Sequence, residues 1–142
     1  MHSSDPGSES PSSLGTISFF AGYRFRDASL LREALTHSSA RRQGRWNERL
    51  EFLGDAVLGL VVAKCLWQHF AEADEGWMSR VRAKFVCEAS LAHLAAQMNI
   101  GDHLLLGRTE QLGGGKDKTS ILADACEALL GAVYADGGIQ AV

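Results

Sequence analysis

Residues 50–63 read LEFLGDAVLGLVVA. Ten of these 14 residues are apolar, and the others are Glu51, Gly54, Asp55 and Gly59. A surface helix keeps a broad polar face. This stretch has almost none, so it reads as a helix buried in the interior. Two acids interrupt the run, which makes it a poor bilayer span. Glu51 and Asp55 are i and i+4 and share one helix face, and Glu48 falls three residues earlier, close to the same stripe.

A second stretch has the same character. Residues 121–135 read ILADACEALLGAVYA, with 12 of 15 apolar and only Asp124, Glu127 and Gly131 outside that class. Asp124 and Glu127 are i and i+3, again on one face. Two core-like helices therefore each carry a carboxylate pair. Gly54, Gly59 and Gly131 let helix backbones approach closely, at a propensity cost of roughly 1 kcal/mol each.

Magnitudes limit what such acids can do. Taking one ion out of water costs several kcal/mol even after relaxation. A small domain has only about 5–15 kcal/mol of net stability. Four buried carboxylates need a counter-charge, and neither apolar segment contains a basic residue to supply it. Oxygen donors with no Cys or His at ligand spacing suit a hard ion such as Mg²⁺, with Mn²⁺ as a substitute. Such ions share coordination with phosphate, which points to phosphoryl-ester hydrolysis. Spacing alone leaves open a plainer arrangement, in which the acids face solvent or pair with Arg elsewhere.

Outward from these two segments the pattern is helical throughout, and strand alternation is scarce. Asp27 caps a helix with apolar residues at Leu30, Leu31, Ala34 and Leu35. Residues 40–46, ARRQGRW, form a basic connector. A long helix runs from about Asn47 to about Phe70 and breaks at Glu75-Gly76. The next helical stretch starts near Ser79 and reaches Met98, with a break near Cys87, and Gly101 ends it. Residues 107–118, GRTEQLGGGKDK, read as a glycine-rich loop. The last helix covers about 119–136 and stops at Gly137-Gly138. The class is all-α.

Composition narrows the function. The 142 residues carry 14 Lys plus Arg against 17 Asp plus Glu, a net charge of −3, so bulk positive charge cannot drive nucleic-acid binding. A local basic patch remains available. Arg41, Arg42, Arg45 and Arg49 cluster, and a solvated face is the plainer account of them. Lys116 and Lys118 lie in the glycine-rich loop, within reach of a phosphate. GGGKDKTS (113–120) is not a P-loop, because Glu110 and Asp117 stand where Gly and Ser or Thr are required. Three cysteines without short spacings fit a reducing compartment, and the expected location is cytoplasmic. MHSSDPGSESPSS (1–13) has neither the basic start nor the apolar run of a secretory signal, so residues 1–14 read as a flexible tail.

The residues also carry a family likeness. NERLEFLGDAVL (47–58) resembles the signature of the ribonuclease III catalytic domain, and ILADACEALLGAVYAD (121–136) resembles that family's second acidic motif. GYRFRDASLLREALTHSS (22–39) and DEGWMSRVRAKFV (74–86) match its flanking segments in order and spacing. The likeness covers about residues 15–142 and is nearer the simple bacterial type than the Dicer or Drosha type. It implies a helical domain that forms a symmetric homodimer around double-stranded RNA and uses no small-molecule cofactor and no membrane. Glu51, Asp55, Asp124 and Glu127 match the metal-site carboxylates. Glu48 and Glu75 match positions linked to substrate handling, and Phe52 an aromatic that inserts into the partner subunit. Phosphate contacts by Arg41, Arg42 and Arg45 become the favoured reading, and His37 in ALTHSS takes a structural role. The implied products carry 5′-phosphate and 3′-hydroxyl ends with short 3′ overhangs, in rRNA and mRNA processing. The family would continue past Val142 into a last helix and an RNA-binding domain, so a truncated domain is expected. The rival readings are a non-catalytic RNA-binding or ribosome-associated scaffold, a phosphohydrolase of small esters, and an inactive fragment.

Overall fold

The computed structural model describes Phe19, Phe20 and residues 22–142. The tail expected over residues 1–14 lies outside the described residues. Six α-helices dominate what is described: α1 (Ala28–Leu35), α2 (Glu48–His69), α3 (Glu75–Phe85), α4 (Glu88–Gln97), α5 (Arg108–Leu112) and α6 (Thr119–Gly137). One small antiparallel hairpin precedes them, pairing β1 (Phe19–Phe20) with β2 (Tyr23–Arg24). None of the described helices is long and apolar enough to cross a membrane.

The expected caps explain several helix ends. Asp27 Oδ1 accepts from the Ser29 backbone N–H at 2.9 Å and starts α1. The long helix α2 and the last helix α6 fall within about a residue of their expected bounds. Elsewhere the boundaries differ. The third helix begins at Glu75 rather than near Ser79, because Asp74 Oδ1 accepts from Trp77 N–H at 2.8 Å. Gly76 is absorbed into that first turn. The break near Cys87 is present, between α3 and α4. The connector at 40–46 is partly a 3₁₀ turn over Ser38–Gln43. The glycine-rich stretch at 107–118 holds α5 and a further 3₁₀ turn, Gly115–Asp117. A Lys118–Glu110 ion pair ties its two ends together.

The core is built around α6. Ala125, Cys126, Ala128, Leu129 and Ala132 are wholly buried, and α1, α2 and α4 all pack against this helix. Leu31, Ala34 and Leu35 of α1 and Leu91 and Ala95 of α4 complete the cluster. The expectation that α2 is buried along 50–63 is not met. Within that stretch only Leu50, Gly54 and Val57 are buried, while Phe52 is 82% exposed and Leu60 58%. Trp67, Phe70 and Phe85 are exposed beyond it, so the apolar residues of α2 and α3 form an uncovered face.

A carboxylate closes the domain. Asp136, near the end of α6, takes the Tyr23 hydroxyl at 2.6 Å, Arg26 N–H at 2.7 Å and Asp27 N–H at 2.9 Å. Slight burial works against its charge, but these hydrogen bonds outweigh it and hold the carboxyl below its usual range. A depressed carboxyl contributes stability above its ordinary pKa and loses it as pH falls through the folded value. Asp136→Asn should therefore lower the melting temperature at pH 7 by several degrees. The difference from the parent should shrink toward pH 3, as thermal melts across that range will show.

Candidate active site

Helices α2 and α6 cross at two glycines. A Cβ on Gly54 would lie 1.7 Å from the Glu127 carbonyl oxygen, and one on Gly131 would lie 2.2 Å from the Leu50 carbonyl oxygen. Backbone therefore rests on backbone, with no side chain between. This contact sets the site, because Gly54 is flanked by Glu51 and Asp55 and strikes Glu127 itself. The start of α2 is fixed as well. Asn47 is buried, its N–H donates to Thr36 O at 2.9 Å, and its carbonyl accepts from Glu51 N–H at 2.8 Å.

The crossing brings the two acid pairs within electrostatic reach. Glu51, Asp124 and Glu127 are half-buried and Asp55 is exposed. Burial raises the Glu51 carboxyl, and the charge of Asp124, a hydrogen bond to it, and the charges of Glu127 and Glu48 push it further, to about 7. Burial and the charges of Asp55 and Asp124 push Glu127 to about 7. Asp124 is also raised, chiefly by burial, with Glu88 and Glu48 adding and Glu51 and His37 opposing. The ion pairs among the described residues are Lys116–Asp102 and Lys118–Glu110, so no Lys or Arg pairs with the four acids. The two loop lysines are thus held by acids rather than free.

Other candidates fall in different places. Glu48 opens α2 beside the cluster. Glu88, which the sequence reading did not single out, joins it from the first turn of α4. Its only signal is its place after the Cys87 break, which marks it as a first-turn acid. Glu75 sits away from these groups at the start of α3, where it accepts from the Ser79 hydroxyl at 2.8 Å. It lines a cleft of about 480 Å³ with Leu60, Lys64, Trp67 and Arg82. Arg41, Arg42 and Arg45 are exposed on and just after the 3₁₀ turn that leads into α2. Phe52 projects from α2 into solvent.

The all-oxygen donor set, its half-burial and its raised carboxyls fit a hard divalent ion. Among the described residues no three acid, imidazole or thiol groups are drawn together tightly enough to hold an ion as they stand. Glu51 and Asp124 lie close enough to shift one another's carboxyl.

A model of ribonuclease-III-like domains matches residues 27–142, which includes every residue of this site. The chain belongs to the ribonuclease III family. Among its relatives, Ribonuclease 3 of Methylococcus capsulatus is 56% identical over 120 residues, covering 84% of this chain and 51% of that protein. Ribonuclease 3 of Caldanaerobacter subterraneus subsp. tengcongensis is 52% identical over 124 residues, covering 84% and 54%. The chain thus spans about half the length of these ribonuclease III relatives. The nuclease domain of ribonuclease III from Campylobacter jejuni superposes with a TM-score of 0.80 at 48% identity, covering 83% of this chain and 82% of that one. That domain has a region involved in dimer formation. Dicer from Pichia stipitis superposes with a TM-score of 0.61 at 26% identity, over 81% of this chain and 48% of Dicer.

Proposed function

We propose that this chain is the catalytic domain of a metal-dependent endoribonuclease that hydrolyses double-stranded RNA in the cytoplasm, during rRNA and mRNA processing. The products carry 5′-phosphate and 3′-hydroxyl ends with short 3′ overhangs. The observation that carries this reading is the α2–α6 crossing, which sets Glu51 and Asp55 against Asp124 and Glu127 with no Lys or Arg among the described residues paired to them. Mg²⁺, or Mn²⁺ in its place, supplies a Lewis acid and an activated water when bound there.

The residues of the chain prepare that chemistry. Glu51 and Glu127, raised to about 7, are partly protonated at neutral pH. They must release those protons to act as anionic ligands, so cleavage should rise as pH increases through 7. Asp55 is the exposed member of the four. Glu48, Glu75, Arg41, Arg42 and Arg45 are the substrate contacts, with the arginines on phosphates. Recognition of an A-form duplex by shape, phosphates and 2′-hydroxyls requires no net positive charge on the whole domain.

The uncovered face of α2 and α3 is the homodimer interface. Phe52, Leu60 and Trp67 are three large apolar residues left to solvent, and apolar patches of this kind mark association surfaces. Phe52→Glu should convert a dimer into a monomer in sedimentation equilibrium at micromolar concentration. A parent chain that is already monomeric there refutes this interface.

The deciding assay is Mg²⁺-dependent cutting of a long perfect RNA duplex, beside single-stranded RNA and an EDTA control. Duplex-only cutting abolished by EDTA is the expected result. No cutting at low salt and high protein would overturn the activity and leave a non-catalytic RNA-binding role.

A further inference from the structure

Residues 36–39, Thr-His-Ser-Ser, lead from α1 into the 3₁₀ turn that starts at Ser38, and their backbone is fixed from several sides. His37 N–H donates to Leu105 O at 3.0 Å, Leu105 N–H donates to Leu35 O at 2.9 Å, and Asn47 N–H donates to Thr36 O. Gly107 N–H donates to Ser39 Oγ at 2.8 Å, and a Cβ on Gly107 would stand 2.4 Å from Ser39 O. His37 is therefore rooted beside the start of the helix that carries Glu48, Glu51 and Asp55.

Its ring is fixed too. Nδ1 accepts from the Ser39 backbone N–H at 3.1 Å, and Ser39 Oγ lies 2.8 Å from the same nitrogen. A backbone N–H can only donate, so Nδ1 presents its lone pair. The Ser39 oxygen already receives Gly107 N–H, which leaves its hydroxyl proton for Nδ1 as well. A neutral imidazole with Nδ1 as acceptor carries its proton on Nε2. Among the described residues no acceptor takes that Nε2–H. The carboxylates that feel the His37 side chain electrostatically are Asp124 of α6 and Glu110 of α5, the latter already paired with Lys118.

We propose that His37 is a substrate-binding residue whose fixed Nε2–H donates to a phosphate oxygen of the RNA strand lying over the acidic cluster. This rests on the ribonuclease reading above. The chemistry is direct. A cluster of carboxylates repels the phosphates that must approach it, and a pre-set donor at its border offsets that repulsion at one defined point. Holding Nδ1 on Ser39 fixes the direction of the donor before the strand arrives, so little ordering remains for binding to do.

Two substitutions separate this role from a structural one. In His37→Asn the amide oxygen takes the place of Nδ1 and keeps the bond to Ser39 N–H, but nothing donates from the position of Nε2. In His37→Gln the amide nitrogen reaches toward the Nε2 position, while the bond to Ser39 is lost. The assays are thermal melting, duplex cleavage with KM and kcat resolved, and anisotropy of a labelled short RNA duplex in EDTA at low salt. The Asn variant should melt like the parent, with KM and duplex dissociation constant raised about tenfold, as befits loss of one hydrogen bond to a charged group. The Gln variant should melt lower yet recover much of the affinity. An Asn variant with parental KM and affinity overturns the proposal. If Asn also destabilises the fold, the Gln variant decides: weakening as severe as that of Asn overturns the proposal. A parent that cuts no RNA defeats the ribonuclease reading separately, and the anisotropy comparison then judges His37 alone. A parent that neither cuts nor binds the duplex defeats both.

Discussion

Gly54→Ala should abolish cleavage and destabilise the fold, although alanine is the better helix former by about 1 kcal/mol. The added Cβ would meet the Glu127 carbonyl oxygen at 1.7 Å and its carbonyl carbon at 2.6 Å. Both atoms belong to the backbone of α6 and cannot swing aside as a flexible side chain would. The two helices must separate by more than an ångström, and overpacking of this kind costs about 1–3 kcal/mol, occasionally more. The damage to the site is larger than the damage to the fold. Gly54 lies between Glu51 and Asp55, and the residue struck is Glu127, so one methyl group displaces three of the four carboxylates. A misplacement of about 1 Å can cost on the order of 100-fold in rate. Gly59→Ala is the matched control on the same helix. Within the protomer its Cβ meets nothing within 4 Å. It should melt at or slightly above the parent. Equal loss of melting temperature in both variants would show that the crossing is not the cause.

Glu127→Gln should separate activity from stability in opposite directions. Cleavage should fall on the order of 100-fold or more, since losing even a supporting partner of a metal ligand costs about 10–100-fold. Stability at pH 7.5 without divalent ions should rise. Below about pH 4.5 this carboxyl is protonated whether the chain is folded or not. Between there and about 7 the unfolded chain releases its proton while the folded chain keeps it. The parent therefore loses stability through that window and gains none of it back above. Glutamine is neutral throughout and removes its share of the loss. The site is partly open to solvent, so the gain is a few degrees of melting temperature at most. Millimolar Mg²⁺ should raise the parent's melting temperature at pH 7.5 more than that of the variant. A Glu127→Gln chain that melts below the parent at pH 7.5 would refute the strained-cluster account.

Much of this was legible in the residues because local chemistry decided it. The apolar run at 121–135 tolerates only a buried helix, and α6 is one. Asp27 and the Gly137-Gly138 pair mark helix ends through capping rules that act within a few residues. The carboxylate pairs were readable because helix periodicity alone puts Glu51 with Asp55 and Asp124 with Glu127. What was not legible depends on partners distant in sequence. Hydropathy marks Phe52, Leu60 and Trp67 as apolar, but it does not say whether their own chain or another surface covers them. Asp74 captured the start of α3 from Ser79 because its carboxylate reaches the Trp77 N–H, a choice between two adequate caps. Glu88 joins the cluster only because α4 folds back toward α6. Asp136 looks like an ordinary surface acid until Tyr23, more than a hundred residues earlier, arrives to donate to it.

The position of α6 in the chain has a consequence for biosynthesis. The helix on which α1, α2 and α4 all pack spans Thr119–Gly137, and so it is made after the helices that need it. Once residues 28–97 have left the exit tunnel, those helices still have no common surface to bury. Their apolar faces stay in water until α6 clears the exit tunnel. The domain should therefore be a late, all-or-none folder during translation. A stalled nascent chain ending before residue 119 should remain protease-sensitive, and one with α6 fully extruded should not.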